Sequence, residues 1–295
     1  MKMTNNWGLP LPLYNALAAD NYSKGMADFS VTGLLAPPKI AMLKELYHDE
    51  LSEDVSSRLW STFGTVVHEI IEKGSVGLPN HTAEQRLYAV VDGQMISGGI
   101  DLQIYLNNDT HELVDWKTTT SWAVINGKID WENQLNIYAF LMRKNKNATV
   151  SSLKVGAIIR DWKKVDAQFK MGYPPRPVMM IDIPLWSEED QEEFVRDRIA
   201  THTAARMRHE LSGEFPDCTP EEMWESGGGW AVLKAGANRA SKIYPDQVVA
   251  RAVASANPGA RVERRPSTRL RCEEYCSCAS VCEQYKQWMM EKNGV

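Results

Sequence analysis

Residues 85–118 constrain the fold of this chain more than any other stretch. Residues 85–91 are rich in β-formers and run into Asp92-Gly93. That pair closes two-residue hairpins, because both central positions of such a turn require positive φ. A second β-rich run, 94–106, follows, and Gly98-Gly99 inside it predicts a close backbone approach. Asn107-Asn108-Asp109 supplies another turn and 112–118 a third strand. The stretch therefore predicts a three-stranded meander. Before it, Leu59, Phe63, Val66, Val67, Ile70 and Ile71 recur at helical spacing and predict a helix over 55–73, stopped by Gly74. After it, 131–144 predicts an amphipathic helix with Asp130 as N-cap, and 153–160 and 178–183 predict two more strands. A long helix over 187–211 opens with Ser187 and, three residues on, Asp190, in the manner of a capping box. Helix, meander, helix, strands, helix is the order of an α/β fold with a mixed central sheet flanked by helices.

The flanks divide the 295 residues into three expected parts. Residues 1–54 form an N-terminal arm with short helices, in which Pro37-Pro38 opens a helical stretch over 39–50. Residues 55–211 form the core. Residues 212–295 form a basic, partly helical C-terminal region with a flexible break at Gly227-Gly228-Gly229. A hydrophobic fraction of 43% supports a sizeable core. No apolar run is long enough to span a bilayer, and the first residues lack a signal-peptide core, so a cytoplasmic protein without a membrane partner is expected. The net charge of −5 argues against nonspecific coating of nucleic acid, but it is uneven. Residues 234–271 carry +7 and the remainder −12, which fits a local basic contact surface on an acidic body.

The chemistry concentrates in the meander. Asp115 and Lys117 stand two apart on the third strand and so share a face. Asp101, on the neighbouring strand, is brought alongside Asp115 by the short turn. Two carboxylates and a lysine on one face form a hard, oxygen-rich site suited to Mg²⁺ or Mn²⁺. Such a site suits phosphodiester hydrolysis, where charge builds on phosphorus and a water must be activated. Five of the ten Trp residues, 116, 122, 131, 162 and 186, offer base-stacking surface, with at least half of these five expected in the core.

Gly99-Ile100-Asp101 followed by Asp115-Trp116-Lys117 resembles the D…(D/E)xK core of the PD-(D/E)XK nucleases. Gly64-Thr65-Val66-Val67-His68 on the preceding helix and Gln134…Tyr138 on the following one resemble the RecB-like exonuclease branch. Residues 29–50 resemble its bacteriophage-encoded members, which are similar in type to the CRISPR-associated RecB-like exonucleases. One departure is Ile100, where the family name places proline. The resemblance implies a restriction-endonuclease-like core. It also implies a metal-dependent DNA exonuclease of phage recombination, replication or processing, in the host cytoplasm, acting on linear ends or single strands. A recombination or single-strand-binding protein would be a further partner. The alternative is a catalytically weak DNA-binding adaptor that keeps the fold. By the same resemblance His68, Asp101, Asp115 and the Trp116 carbonyl are expected around the metal, with Glu72 one turn from His68. Lys117 is expected as the catalytic lysine, and Gln134 and Tyr138 beside the DNA backbone or Lys117.

Four of the five cysteines, Cys272, Cys276, Cys278 and Cys282, fall within eleven residues, a spacing that suits one soft metal. The fourth ligand beside Cys272, Cys276 and Cys282 is expected to be Cys218, with Cys278 as the alternative. RecB-like nucleases often carry an iron–sulfur cluster on one distant cysteine, usually N-terminal to the core, plus a C-terminal trio, so the resemblance implies a [4Fe–4S] cluster, with the departure that no cysteine here precedes Cys218. Zn²⁺ also fits Cys₄ ligation. Such a centre would pin the segment bearing Arg264, Arg265, Arg269 and Arg271 where those side chains reach a phosphate backbone.

Overall fold

Strands β1 (Phe29–Ser30), β2 (His81–Val91), β3 (Gln94–Tyr105), β4 (Thr110–Thr119), β5 (Thr149–Ile159) and β6 (Val178–Ile183) build one mixed sheet in the computed structural model, which describes residues 1–19, 25–106 and 110–293. Asp92 and Gly93 turn β2 into β3 with φ of 50° and 78°, the left-handed pair predicted for a two-residue hairpin. β2 then follows one edge of β3 in antiparallel register from Val91↔Gln94 to His81↔Ile104. The other edge of β3 is shared. Ile96 and Ser97 pair in parallel with β1, and residues 102–105 pair antiparallel with β4. Between those ladders, residues 98–101 have no strand partner on that side among the described residues. β4 continues in parallel along β5, and β6 closes the far edge antiparallel to β5. The second turn expected at 107–109 lies outside the described residues.

Helix α1 (Leu59–Ser75) precedes β2. It runs past Gly74, and Gly77 carries the left-handed φ of 77° beyond its end. Helix α2 (Ile129–Lys146) packs on the sheet, with Leu135, Ile137, Phe140, Leu141 and Met142 in one cluster with Ile96, Ile100, Leu113, Leu153 and Val155. It is not amphipathic as expected. Residues 135–142 are all buried, so the middle of the helix is enclosed on every side. Its single buried amide, Asn136, is satisfied by the Pro184 carbonyl and the Trp186 N–H. Nor is Asp130 the cap. Lys128 holds that position without a side-chain bond, and Asp130 lies in the first turn, where its charge complements the helix dipole. Gly98 explains the close approach: a Cβ there would stand 2.8 Å from both Leu141 and Tyr138 of α2. At the start of α3 (Glu188–Ser212), Ser187 Oγ accepts from the Asp190 N–H at 3.1 Å, the first half of a capping box, while the Asp190 carboxylate accepts from the Ser187 hydroxyl at 2.8 Å rather than from its backbone N–H.

The chain separates into two compact units, each discontinuous in sequence. Met3–Ala36 and Glu53–Leu211 make the unit just described, and Met1–Lys2, Pro37–Ser52 and Ser212–Val295 make the other. Residues 1–54 are thus divided between them. The second unit contains the helix Pro38–Leu46 and a three-stranded antiparallel sheet, β7 (Glu225–Leu233) between β8 (Lys242–Tyr244) and β9 (Arg261–Arg269). It also contains helices α4 (Gln247–Ser255) and α5 (Glu283–Asn293). The glycine run is therefore no flexible break. Gly227, Gly228 and Gly229 lie inside β7, all at positive φ, and a Cβ on Gly229 would meet the Tyr244 carbonyl at 2.5 Å. Backbone crowding, not looseness, selects glycine there. Among the described residues no helix is long and apolar enough to cross a membrane.

Candidate active site

The sheet splays where its chemistry sits. The β3–β4 ladder ends at Leu102↔Val114. One step further, the same register sets Asp101 opposite Asp115. The freed Trp116 N–H donates instead to Asp101 Oδ2 at 2.7 Å. On the other side of β3, the β2 register runs from Ala83↔Leu102 to Gln85↔Ile100, which sets Glu84 across from Asp101. Glu84, Asp101 and Asp115 therefore form one row of carboxylates across three adjacent strands. Glu84 takes a left-handed φ of 50° within β2, a conformation that costs a non-glycine residue about 1–2 kcal/mol.

Lys117 follows on the Asp115 face, its Nζ 2.6 Å from Asp115 Oδ2. Trp116 points the other way, its ring over Gly156, where a Cβ would come within 2.2 Å. From α1, His68 Nε2 meets the Trp116 carbonyl at 2.9 Å, while Nδ1 faces Glu84 at 3.5 Å and Asp101 at 3.6 Å. The Trp116 oxygen thus spends one lone pair on His68. Gln134 Nε2 donates to the Tyr138 hydroxyl at 2.7 Å, one turn apart on α2. These residues line a cleft of about 700 Å³, which also takes in Glu69, Glu72, Arg86 and Gly99. The cleft thus brings together His68, Asp101, Asp115, Lys117, Gln134 and Tyr138, all expected at the site. It adds Glu84, which the sequence reading missed. Counting the hairpin register back from Asp92-Gly93 would have found it.

The electrostatics of the row are those of a site short of positive charge. Burial, and then the neighbouring Asp115 carboxylate, push Asp101 up to about 7. Glu84 and Asp101 together hold the His68 imidazolium up to about 9 against its burial, with the Glu84 contact the larger cause. Asp115 is 2% exposed, and apart from the Lys117 ammonium neither carboxylate oxygen has a hydrogen-bond partner among the described residues. A buried carboxylate left in that state is costly unless a cation completes it. One His68 nitrogen and carboxylate oxygens of Glu84 and Asp101 lie within 4.8 Å of one another, a hard donor set that fits a divalent cation.

The second unit carries the thiols. Cys218, Cys272, Cys276 and Cys282 line one small, largely enclosed cavity with Lys39, Ile40 and Leu43. Burial raises Cys218 to about 12 and Cys272 to about 11, while a hydrogen bond from Cys278 lowers Cys276 to about 6. Cys278 is fully buried with Leu43 and Leu51, its thiol toward the Ile40 carbonyl. Most of the arginines expected on phosphate are engaged nearby. Arg265 pairs with Glu263 and Arg269 with Glu225, and Arg271 lies over the Trp224 ring, 4.5 Å from its centre.

The chain belongs to the PD-(D/E)XK nuclease superfamily, whose family profile matches residues 89–283. That match includes Asp101, Asp115, Lys117, Gln134 and Tyr138 and begins after His68 and Glu84. Among curated proteins none matches. Among solved structures the chain is similar to SSO0001, at 19% identity over 64% of this chain and 81% of that one, with a TM-score of 0.42. It is also similar to a candidate exonuclease from Eubacterium rectale, at 9% identity over 69% and 73% of the two chains, with a TM-score of 0.29.

Proposed function

We propose that this member of the nuclease superfamily is a Mg²⁺- or Mn²⁺-dependent DNA exonuclease of the RecB-like, phage-encoded type. The observation that carries the reading is the Asp115 carboxylate: buried, ionisable, and partnered only by Lys117 beside the Asp101–Glu84–His68 group. Asp101, Asp115 and His68 Nδ1 would hold the cation, with Glu84 and the second lone pair of the Trp116 carbonyl at its edge. When bound, the cation polarises a phosphoryl oxygen and lowers the pKa of a water. Lys117 Nζ orients the attacking water and offsets the charge that builds on phosphorus. The Trp116 carbonyl, accepting from the Nε2–H, would fix the plane of the His68 ring and leave Nδ1 for the cation. Gln134 and Tyr138 steady the wall along which the phosphate backbone passes.

The Cys218, Cys272, Cys276 and Cys282 set is read as the seat of a [4Fe–4S] cluster, with Zn²⁺ as the alternative. Its support is that four unbridged thiols share one enclosed cavity, where burial disfavours the charged forms of Cys218 and Cys272 in the absence of a cation. Its role there is that of a staple.

End-labelled linear DNA and closed circular DNA of the same sequence, incubated with Mn²⁺, test the reading. Loss of the linear form alone, abolished in Asp115→Ala, is the expected result. Cleavage of the circle would overturn the exonuclease assignment, and inert linear DNA would overturn the nuclease assignment as a whole.

A further inference from the structure

Helix α1 has an apolar face but no buried residue. Its first turn presents Trp60, 52% exposed, with Phe63 edge-on to it at 6.3 Å between ring centres. Amphipathic helices normally bury such a face. Here the cover is a cation: the Arg160 guanidinium lies over the Trp60 ring, 4.3 Å from its centre. Arg160 is exposed and has no ion-pair partner among the described residues. Its neighbour Asp161 is already taken by the N–H and hydroxyl of Ser121.

The place of this pair matters. The Arg160 N–H donates to the Thr119 carbonyl at 2.9 Å, two residues past Lys117 on β4. Gly64, one turn after Trp60, faces Thr118, whose hydroxyl would stand 3.3 Å from a Cβ there, and Gly64 lines the cleft with His68. Trp60 is about 12 Å along the helix axis from His68. The Trp60–Arg160 pair therefore continues the cleft beyond the end of the strand that carries Lys117. Trp122, 64% exposed, stands on the helix Ser121–Asn126 that follows the same strand.

We propose that Trp60 and Arg160 form a base-stacking seat for the single-stranded end of the DNA substrate. An exposed indole offers a π-face to any base, and a guanidinium stacked on it leaves its N–H edge for a phosphate. Bases inside a duplex are already stacked on both sides, and a terminal pair offers only one face and no flexible backbone to bring it into a cleft. The occupant is thus unpaired DNA leading into the cleft. This assignment rests on the nuclease reading for its orientation, but its test does not require turnover.

Binding of a short fluorescent oligothymidylate, measured by anisotropy in EDTA, tests it against a blunt duplex of the same length. Trp60→Ala is expected to weaken single-strand binding about tenfold and duplex binding less than twofold. Trp60→Phe restores most of the affinity. Arg160→Ala weakens single-strand binding and lowers its salt dependence by about one ion. Met171→Ala, a fully exposed apolar change elsewhere, leaves both unaltered. Unchanged single-strand binding in Trp60→Ala, or equal losses for both DNAs, overturns the seat. So does a Trp60→Ala change that alters only sedimentation, because the face would then be an interface between two copies. A protein that binds single strands through Trp60 yet cleaves nothing in Mn²⁺ keeps the seat and loses the nuclease reading. Turnover with Trp60-independent binding does the reverse.

Discussion

The carboxylate row and the thiol cavity are both clusters of partly buried donor groups, yet they are built in opposite ways. Glu84, Asp101 and Asp115 come from three strands, face an open cleft of about 700 Å³, and include a carboxylate with only one cationic neighbour. The four thiols come mainly from one short segment and face a small cavity closed by Ile40, Leu43 and Met223. An open site with unsatisfied hard donors admits a reactant and a cation together. A closed site with desolvated soft donors holds something that stays. The difference teaches that clustered donors alone do not mark catalysis; access and donor hardness separate the proposed reacting centre from the proposed staple.

The largest effects should keep the two sites apart. Asp115→Asn or Lys117→Ala should lower DNA hydrolysis on the order of a thousandfold, followed by release of end label, with the metal content of the thiol cavity unchanged. Loss of that metal in Asp115→Asn would break the separation. Cys282→Ser should do the converse, removing iron or zinc by elemental analysis and lowering Tm by roughly 5–10 °C. Visible absorbance near 400 nm in the wild type distinguishes a cluster from zinc. Cys278→Ala should keep the metal. If Cys218→Ala keeps it and Cys278→Ala does not, the alternative ligand set holds.

Much of the first site was legible because strand period and turn chemistry are local. Asp92-Gly93 fixes a register, the period of two puts Asp115 and Lys117 on one face, and Asp101 follows. Glu84 escaped because it falls one residue before the predicted strand and adopts a conformation no propensity favours. The glycine run was misread because the close approach of Tyr244 and Ser267 is set by pairing with distant strands. Arg265 and Arg269 of β9 were expected on phosphate because their partners, Glu263 and Glu225, are visible only once the sheet is paired. Cys218 meets the C-terminal trio only through the fold.

A pH titration of stability sharpens the comparison on the carboxylate side. Asp101 has a folded-state pKa raised from 3.8 to about 7, so between those values the native chain keeps a proton that the unfolded chain has released. The stabilisation present below about pH 4 is lost as pH rises through about 7, on the order of 4 kcal/mol. His68, raised from 6.5 to about 9, runs in the same direction at higher pH. Urea unfolding in EDTA should therefore show stability falling from acid toward pH 9, with the lower part of the fall absent in Asp101→Asn. A flat profile in the wild type would mean that the row does not crowd charge as its geometry indicates.

The smallest expected effect is the most discriminating. Glu84 combines a strained backbone with a charge facing His68, and two substitutions separate those contributions. Glu84→Gln keeps the side chain and the left-handed φ and removes only the charge. Glu84→Gly removes the charge and, because glycine adopts positive φ without a Cβ clash, the strain as well. Both should weaken Mn²⁺ binding by roughly tenfold, since each strips a carboxylate from the row. Their stabilities should part. Neither variant keeps the carboxylate that faces His68, so only the backbone separates them, and Glu84→Gly should exceed Glu84→Gln by about 1 kcal/mol in metal-free urea unfolding at neutral pH. A glycine variant that is less stable than the glutamine one at that pH would show that β2 is not strained at this position. The left-handed residue would then be a relaxed bulge rather than backbone held against its preference to complete the site.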